Sequence, residues 1–178
     1  MRDDGCVPEL AITVIGQDRP GIIADASEIL AGLGVNLTDS TMTRLRGHFA
    51  MTLICAGTPT PGEVEQALAP LTADGSLVAT VREVRPEAEY ADEGHHYLLS
   101  LHGADRLGIV AAATRVLSDA GGNVTDLTTR LAGGLYVLLA EVDLPSTVDT
   151  ETLSVQLAEV ADELGVEATI RPVDTDLL

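Results

Sequence analysis

The chain has no lysine; all ten of its basic residues are arginines. That excludes a phosphate-binding lysine and any Schiff-base chemistry, including a pyridoxal-phosphate lysine. Tryptophan is also absent, and with one phenylalanine and three tyrosines the cores must be aliphatic. The two cysteines, Cys6 in a tail and Cys55 in an expected strand, are too isolated for a disulfide framework and fit a reducing compartment. Positive charge is scarce: 28 acidic residues leave a net charge of −18. Direct DNA or RNA binding needs a basic surface to replace counterions, so neither nucleic acid nor an anionic membrane is an expected partner. No apolar run reaches the roughly 18 residues of a membrane helix. Met1–Gly5 carries no apolar stretch of a secretory signal, and the cytoplasm is the expected location.

What the chain does have is one stretch written twice. Gly16–Ile23 (GQDRPGII) leads to Gly34 and Asn36, and 87 residues later Gly103–Val110 (GADRLGIV) leads to Gly121 and Asn123 with the same spacing. Physically, an apolar strand enters a tight glycine-bearing turn, and an amphipathic helix starts there. A helix start presents unpaired N–H groups and a partial positive charge, a ready seat for a small carboxylate. The repeat divides the chain into two halves of roughly 85 residues, each large enough to fold alone but only marginally. We expect domains over residues 9–85 and 95–173, joined by an acidic, Pro- and Gly-punctuated linker at 86–94.

In order, Leu10–Ile15 reads as a strand. Asp18 is the expected helix N-cap and Pro20 suits the first helical turn. Ile22, Ile23, Ala26, Ile29, Leu30 and Leu33 then form a helical stripe that Gly34 stops. Val35–Arg46 and Phe49–Cys55 read as strands. Thr60 and Glu63 have the spacing of a capping box with Pro61 at the first helical position, and Pro70 predicts a short or kinked second helix. Leu77–Val84 is a fourth strand. The second half repeats the order: strand His95–His102, helix Leu107–Ala120, strands Val124–Leu131 and Leu135–Leu144, a helix from about Asp149 to Leu164 and strand Val166–Pro172. The offset falls from 87 at Thr41/Thr128 to 86 at Arg44/Arg130, which predicts a β-bulge in one repeat.

A β-α-β-β-α-β order folds as a four-stranded antiparallel sheet with both helices on one face. The expected fold is therefore α+β, with two ferredoxin-like units in tandem. On the opposite face Ala11, Thr13, Ile15, Ala50 and Ile54 are apolar or weakly polar, which points to a packed interface.

The sequence from Asp18 to Ile23 (DRPGII), followed by Leu33–Leu37 (LGVNL), resembles the ACT domain, a small amino-acid-sensing module of metabolic regulation. The second half matches with Asp105–Val110 (DRLGIV) and Gly121–Val124 (GGNV), so the resemblance covers about residues 9–173. A tandem pair is similar to the glycine cleavage system transcriptional regulators, non-enzymatic accessory repressors. The first half also resembles the regulatory segment of formyltetrahydrofolate deformylase, whose catalytic domain a chain of this length is not expected to hold. The resemblance implies a ligand where the first strand meets the first helix, near a domain or subunit interface. Carried onto this chain, that means Asp18, Pro20, Gly21, Ile22, Ile23 and Asn36, with Asp105, Gly108, Ile109, Val110 and Asn123 in the second half. It also implies a homodimer joined through its sheets and, with no basic reading element, a transcription factor or enzyme as partner. Leu107 stands where the first half has Pro20, a departure that makes the two sites unequal.

A free amino acid offers its carboxylate to the backbone at residues 20–23 and its ammonium to Asn36, Asp18, Asp39 or backbone carbonyls. A helix dipole contributes only about 0.3–1 kcal/mol and micromolar binding needs about 8 kcal/mol, so several charge-assisted hydrogen bonds must form in a dry site. The same residues have a purely structural reading, in which Asp18 caps, Gly21 permits close packing and Asn36 closes a turn. His95, His96 and His102 share a strand, but strand ends commonly carry solvated histidines and no metal is expected. Ser27, Ser40 and Ser100 lack a nucleophile-elbow context, and Gly32–Gly34 ends a helix where a dinucleotide fingerprint would open one. No cofactor and no catalysis are expected. The leading expectation is a small-amino-acid sensor acting through a partner protein, with glycine or one-carbon control as the pathway the resemblance suggests. The alternatives are a ligand-free ACT-like interaction scaffold, or a free-standing regulatory subunit of an amino-acid or folate enzyme.

Overall fold

A computed structural model describes residues 8–85 and 94–173. Cys6 and most of the expected linker lie outside the described residues. The chain divides into two compact units, each a four-stranded antiparallel sheet with two helices.

The first unit comprises β1 (Glu9–Gln17), α1 (Ile22–Gly32), β2 (Asn36–Leu45), β3 (His48–Ala56), α2 (Pro61–Thr72) and β4 (Leu77–Val84), with sheet order β2-β3-β1-β4. The second comprises β5 (His95–Ala104), α3 (Ile109–Asp119), β6 (Asn123–Ala132), β7 (Leu135–Leu144), α4 (Thr150–Leu164) and β8 (Val166–Pro172), in the order β6-β7-β5-β8. This is the expected β-α-β-β-α-β plan, twice.

Alternation in the strands sets the cores. Leu10, Ile12 and Val14 of β1 and Phe49, Met51, Leu53 and Cys55 of β3 turn inward against Ile22, Ala26 and Leu30 of α1 and Val64, Leu68 and Leu71 of α2. Because all these side chains form one cluster, both helices cover the same face. The second core repeats the arrangement around Leu99, Leu101, Leu117, Leu138, Leu153 and Leu157. Burial holds the Cys55 thiol above its usual pKa and so in its unreactive protonated form.

Helix ends follow from local chemistry. Gly34, at φ 72°, closes α1: its N–H donates to Ala31 O and that of Val35 to Leu30 O, the paired bonds of a Schellman motif. Gly121 and Gly122 repeat this on Ser118 and Leu117. Thr60 and Glu63 form the expected reciprocal capping box. Their hydrogen bonds hold the Glu63 carboxyl below its usual pKa.

Several expectations are corrected. α1 is not capped by Asp18: its N-cap is Gly21, at φ 91° with no side-chain cap, and Pro20 precedes the helix instead of opening it. α3 likewise starts at Ile109 behind Gly108, leaving Leu107 in the turn. α2 runs two residues past Pro70 over twelve residues, so it is not short. The bulge occurs in both repeats, between Leu37 and Asp39 and between Val124 and Asp126. The two-residue hairpins Arg46-Gly47 and Gly133-Gly134 also stand 87 residues apart, so the offset stays at 87 through both hairpin strands. Arg44 is therefore the counterpart of Leu131, not of Arg130.

Candidate ligand-binding site

Each unit folds its repeated stretch into a corner between the first strand and the first helix. In the first unit the end of β1 passes tightly against the approach to β4. Gln17 N–H donates to Ser76 O at 2.9 Å, and a Cβ built on Gly16 would stand 2.0 Å from that oxygen. Gly103 meets Val166 Cα in the same way at 2.8 Å. Glycine is required at both positions by close approach.

Gly21 and Gly108 are required for a different reason. Their φ angles of 91° and 97° are left-handed, while a Cβ on either would meet nothing closer than 3.8 Å. They reverse the chain into the helix, and close packing plays no part. The first bonds behind them are Asp25 N–H to Gly21 O and Ala112 N–H to Gly108 O, both 2.9 Å. No acceptor among the described residues takes the N–H groups of Gly21–Ala24 or of Gly108–Ala111. Pro20, lacking an N–H, adds no donor.

The corners differ in what surrounds these donors. At the first, Arg44 Nε lies 2.8 Å from Asp18 Oδ2, and Asp18 N–H donates to Gly47 O at 3.0 Å. Arg19 Nη1 donates to Pro20 O at 3.2 Å and to Asp25 Oδ2 at 3.1 Å. Hydrogen bonds from Ser76, with a smaller contribution from the Arg19 charge, hold the Asp74 carboxyl below its usual pKa. A hollow of about 430 Å³ beside Arg19, Asp25 and Pro70 lies on the flank of α1, not over its first amides.

At the second corner Asp105 and Arg106 make no ion pair among the described residues. Leu107 is fully exposed. A hollow of about 570 Å³ lies over the helix start itself, lined by Asp105 to Ala111 and by Tyr136. Tyr136 was not singled out from the sequence, although it occupies the place of the buried Phe49, 87 residues earlier. Leu131 stands where the first unit has Arg44, so the clamp on the aspartate is missing.

The sheet separates Asn36 and Asn123 from the corners. Asn36 pairs with Ala56, which lies opposite Glu9 at the start of β1; Gly16 pairs with Phe49 at the other end. The two levels are seven residue steps apart along β1, about 23 Å. Asn123 is likewise level with Asp143 and His96, and Gly103 with Tyr136. Asp18, Pro20, Gly21, Ile22 and Ile23 share one end, as do Asp105, Gly108, Ile109 and Val110.

The three histidines of β5 do not converge. His96 Nδ1 bonds Asp143 Oδ1 at 2.5 Å and His102 Nε2 lies 3.3 Å from Glu167 Oε2. No group of three or more metal-ligating side chains occurs among the described residues.

The profile of the ACT domain matches residues 9–79 and again 95–171. The chain belongs to the ACT domain family. A UPF0237 protein of Methanocaldococcus jannaschii is 32% identical over 78 residues, covering 43% of this chain and 87% of that protein. The crystal structure of a protein of unknown function from Galdieria sulphuraria superposes over 94% of this chain and 99% of its own, with a TM-score of 0.78 and 27% identity. A candidate glycine cleavage system transcriptional repressor superposes over 96% of this chain and 100% of its own, at a TM-score of 0.71. At 17% identity that likeness shows the tandem ACT fold alone. No helix among the described residues is long and apolar enough to cross a membrane.

Proposed function

We propose that this tandem ACT protein is a non-enzymatic, cytoplasmic regulator that senses a small amino acid and acts through a partner protein. The observation that supports it is the pair of helix starts whose first N–H groups have no acceptor, one of them under an open hollow. A ligand carboxylate takes those amides, and a free aspartate takes the ammonium. At the second corner Asp105 is free for that role, and Arg106 adds a second cation for the carboxylate. Asn36 and Asn123, at the far ends of their sheets, are left out of the site. Control of glycine or one-carbon metabolism is the pathway this reading favours.

The test is a calorimetric screen of the full chain against the twenty amino acids. We expect at least one to bind. At a hundredfold excess over Kd, binding stabilises by about 2.7 kcal/mol, a rise of several degrees in Tm. If no amino acid gives heat or shifts Tm, the second reading replaces the first: an ACT scaffold without a ligand, which pairs with a transcription factor or enzyme. The observation favouring that reading is the first corner, where both aspartates and both arginines are already paired with each other.

A further inference from the structure

The last turn of α3 and the first turns of α4 border a groove of about 640 Å³ in the second unit. Its floor is apolar: Val116, Ala120, Val148 and Val160 lie there half-buried, beside the buried Leu153. Its walls are acidic. Asp119 stands on the α3 side, and Asp149, Thr152, Gln156 and Glu159 line the α4 side. Those four recur at helical spacing and form one ridge about 15 Å long. No arginine is among the lining residues.

The charge around the groove is one-sided. α3 and α4 carry Asp119, Glu151, Glu159, Asp162 and Glu163 against Arg115 alone. Arg115 reaches Asp119 only at 3.9 Å, with both side chains mostly exposed, and such a pair holds little. Glu159 has no ion pair among the described residues. α3 also lacks a basic residue in its last turn, where a cation would complement the carbonyl end of the helix. The unit's other described arginines, Arg106, Arg130 and Arg171, stand in the corner and on the sheet. The matching hollow of the first unit, at Leu33, Pro59 and Ala67, has one carboxylate, Glu63, which is held in the Thr60 capping box. The acidic walls therefore belong to the second unit and do not follow from the shared fold.

We propose that this groove receives a helix of a partner protein, apolar along one face and flanked by arginine or lysine. Such a helix lays its apolar stripe on the floor, and its flanking cations meet Asp119 on one wall and Glu159 on the other. Charge selects this occupant. A second copy of the chain brings a net charge of −18 and four helices whose one basic residue is Arg115, so acid would face acid. Nucleic acid is repelled in the same way. A small cation would satisfy the walls and leave the floor wet. The proposal rests on the partner-protein half of the function proposed above. It needs no amino acid at the corner, because the groove and the hollow over the α3 start share no lining residue.

Fluorescence anisotropy with the full chain tests this. The probe is a labelled peptide of about 15 residues, the length at which an isolated helix becomes marginally stable, with leucines along one helical face and arginines beside them. A shuffled peptide of the same composition has no apolar face. The ordered peptide is expected to bind about tenfold or more tightly than the shuffled one. Glu159→Arg, on the exposed wall, weakens its binding by about tenfold or more, and the neutral Glu159→Gln weakens it less, in the same direction. Glu28→Arg, on α1 of the first unit, changes the net charge as Glu159→Arg does and leaves binding as it was. Circular dichroism verifies the fold of each variant; if Glu159→Arg does not fold, Glu159→Gln and the two peptides still decide. No binding of the ordered peptide, equal binding of the two peptides, or equal losses from the Glu159 and Glu28 variants overturns the proposal. The amino-acid screen reads the corner alone, so the sensor reading stands or falls separately.

Discussion

Arg44 Nε stands 2.8 Å from Asp18 Oδ2, and the equivalent pair in the second unit is Leu131 and Asp105. That substitution leaves the second corner's aspartate without the arginine that holds the first corner's. In the first the aspartate is held to the hairpin strand; in the second it is left to solvent and to whatever enters the hollow.

Asp105→Asn is expected to weaken amino-acid binding at least tenfold, because the ammonium loses a charged acceptor. Asp18→Asn changes affinity little, since that carboxylate already belongs to Arg44. Titration calorimetry on the two variants separates the corners. Equal losses would contradict the assignment.

Arg44→Leu gives Asp18 the neighbour that Asp105 has in the second unit. The bridge is largely exposed on the arginine side, so its loss costs at most about 1 kcal/mol. Urea unfolding should show a small change of that size or none. A loss of several kcal/mol would mean the pair holds the corner together.

Gly16→Ala and Gly47→Ala compare steric exclusion with backbone strain. A Cβ at Gly16 would collide with Ser76 O, and the cost is expected to be about 3 kcal/mol or more. Gly47, at φ 86° with open space around it, should cost only about 1–2 kcal/mol. Denaturation midpoints check the order.

Asp149 caps α4 through the N–H groups of Glu151 and Thr152 and the Thr152 hydroxyl. These bonds, that of the hydroxyl foremost, hold its carboxyl below its usual pKa. A depressed carboxyl contributes stability that is present above its unfolded pKa and is lost as pH falls through the folded one. Asp149→Ala should therefore lower the urea midpoint at pH 7, and the difference from the parent should narrow as the pH falls through the folded carboxyl's pKa. A difference that persists unchanged in acid would contradict the cap.

The alternation of Phe49, Met51, Leu53 and Cys55, the capping box at Thr60 and Glu63 and the glycine stops at Gly34 and Gly165 were legible because each is local chemistry. What was not legible depended on register. A left-handed Gly21 starts α1, and Asp18 is drawn off to Arg44 on another strand; no pattern within Asp18–Ile23 records that. The offset of 86 came from matching Arg44 to Arg130, two arginines on opposite faces of their strands. Asn36 read as a neighbour of Gly21 because the motif holds both, yet α1 carries the chain back across the sheet between them. Tyr136 could have been found by setting Phe49 against its counterpart 87 residues on.

The most direct test of the sensor reading is a two-dimensional amide NMR titration of the full chain with the amino acid that binds. The account predicts that the resonances of Ile109, Val110 and Arg106 move first and saturate together, while those of Ile22 and Ile23 move less or not at all. Shifts confined to other parts of the second unit, such as the groove between α3 and α4, would contradict it.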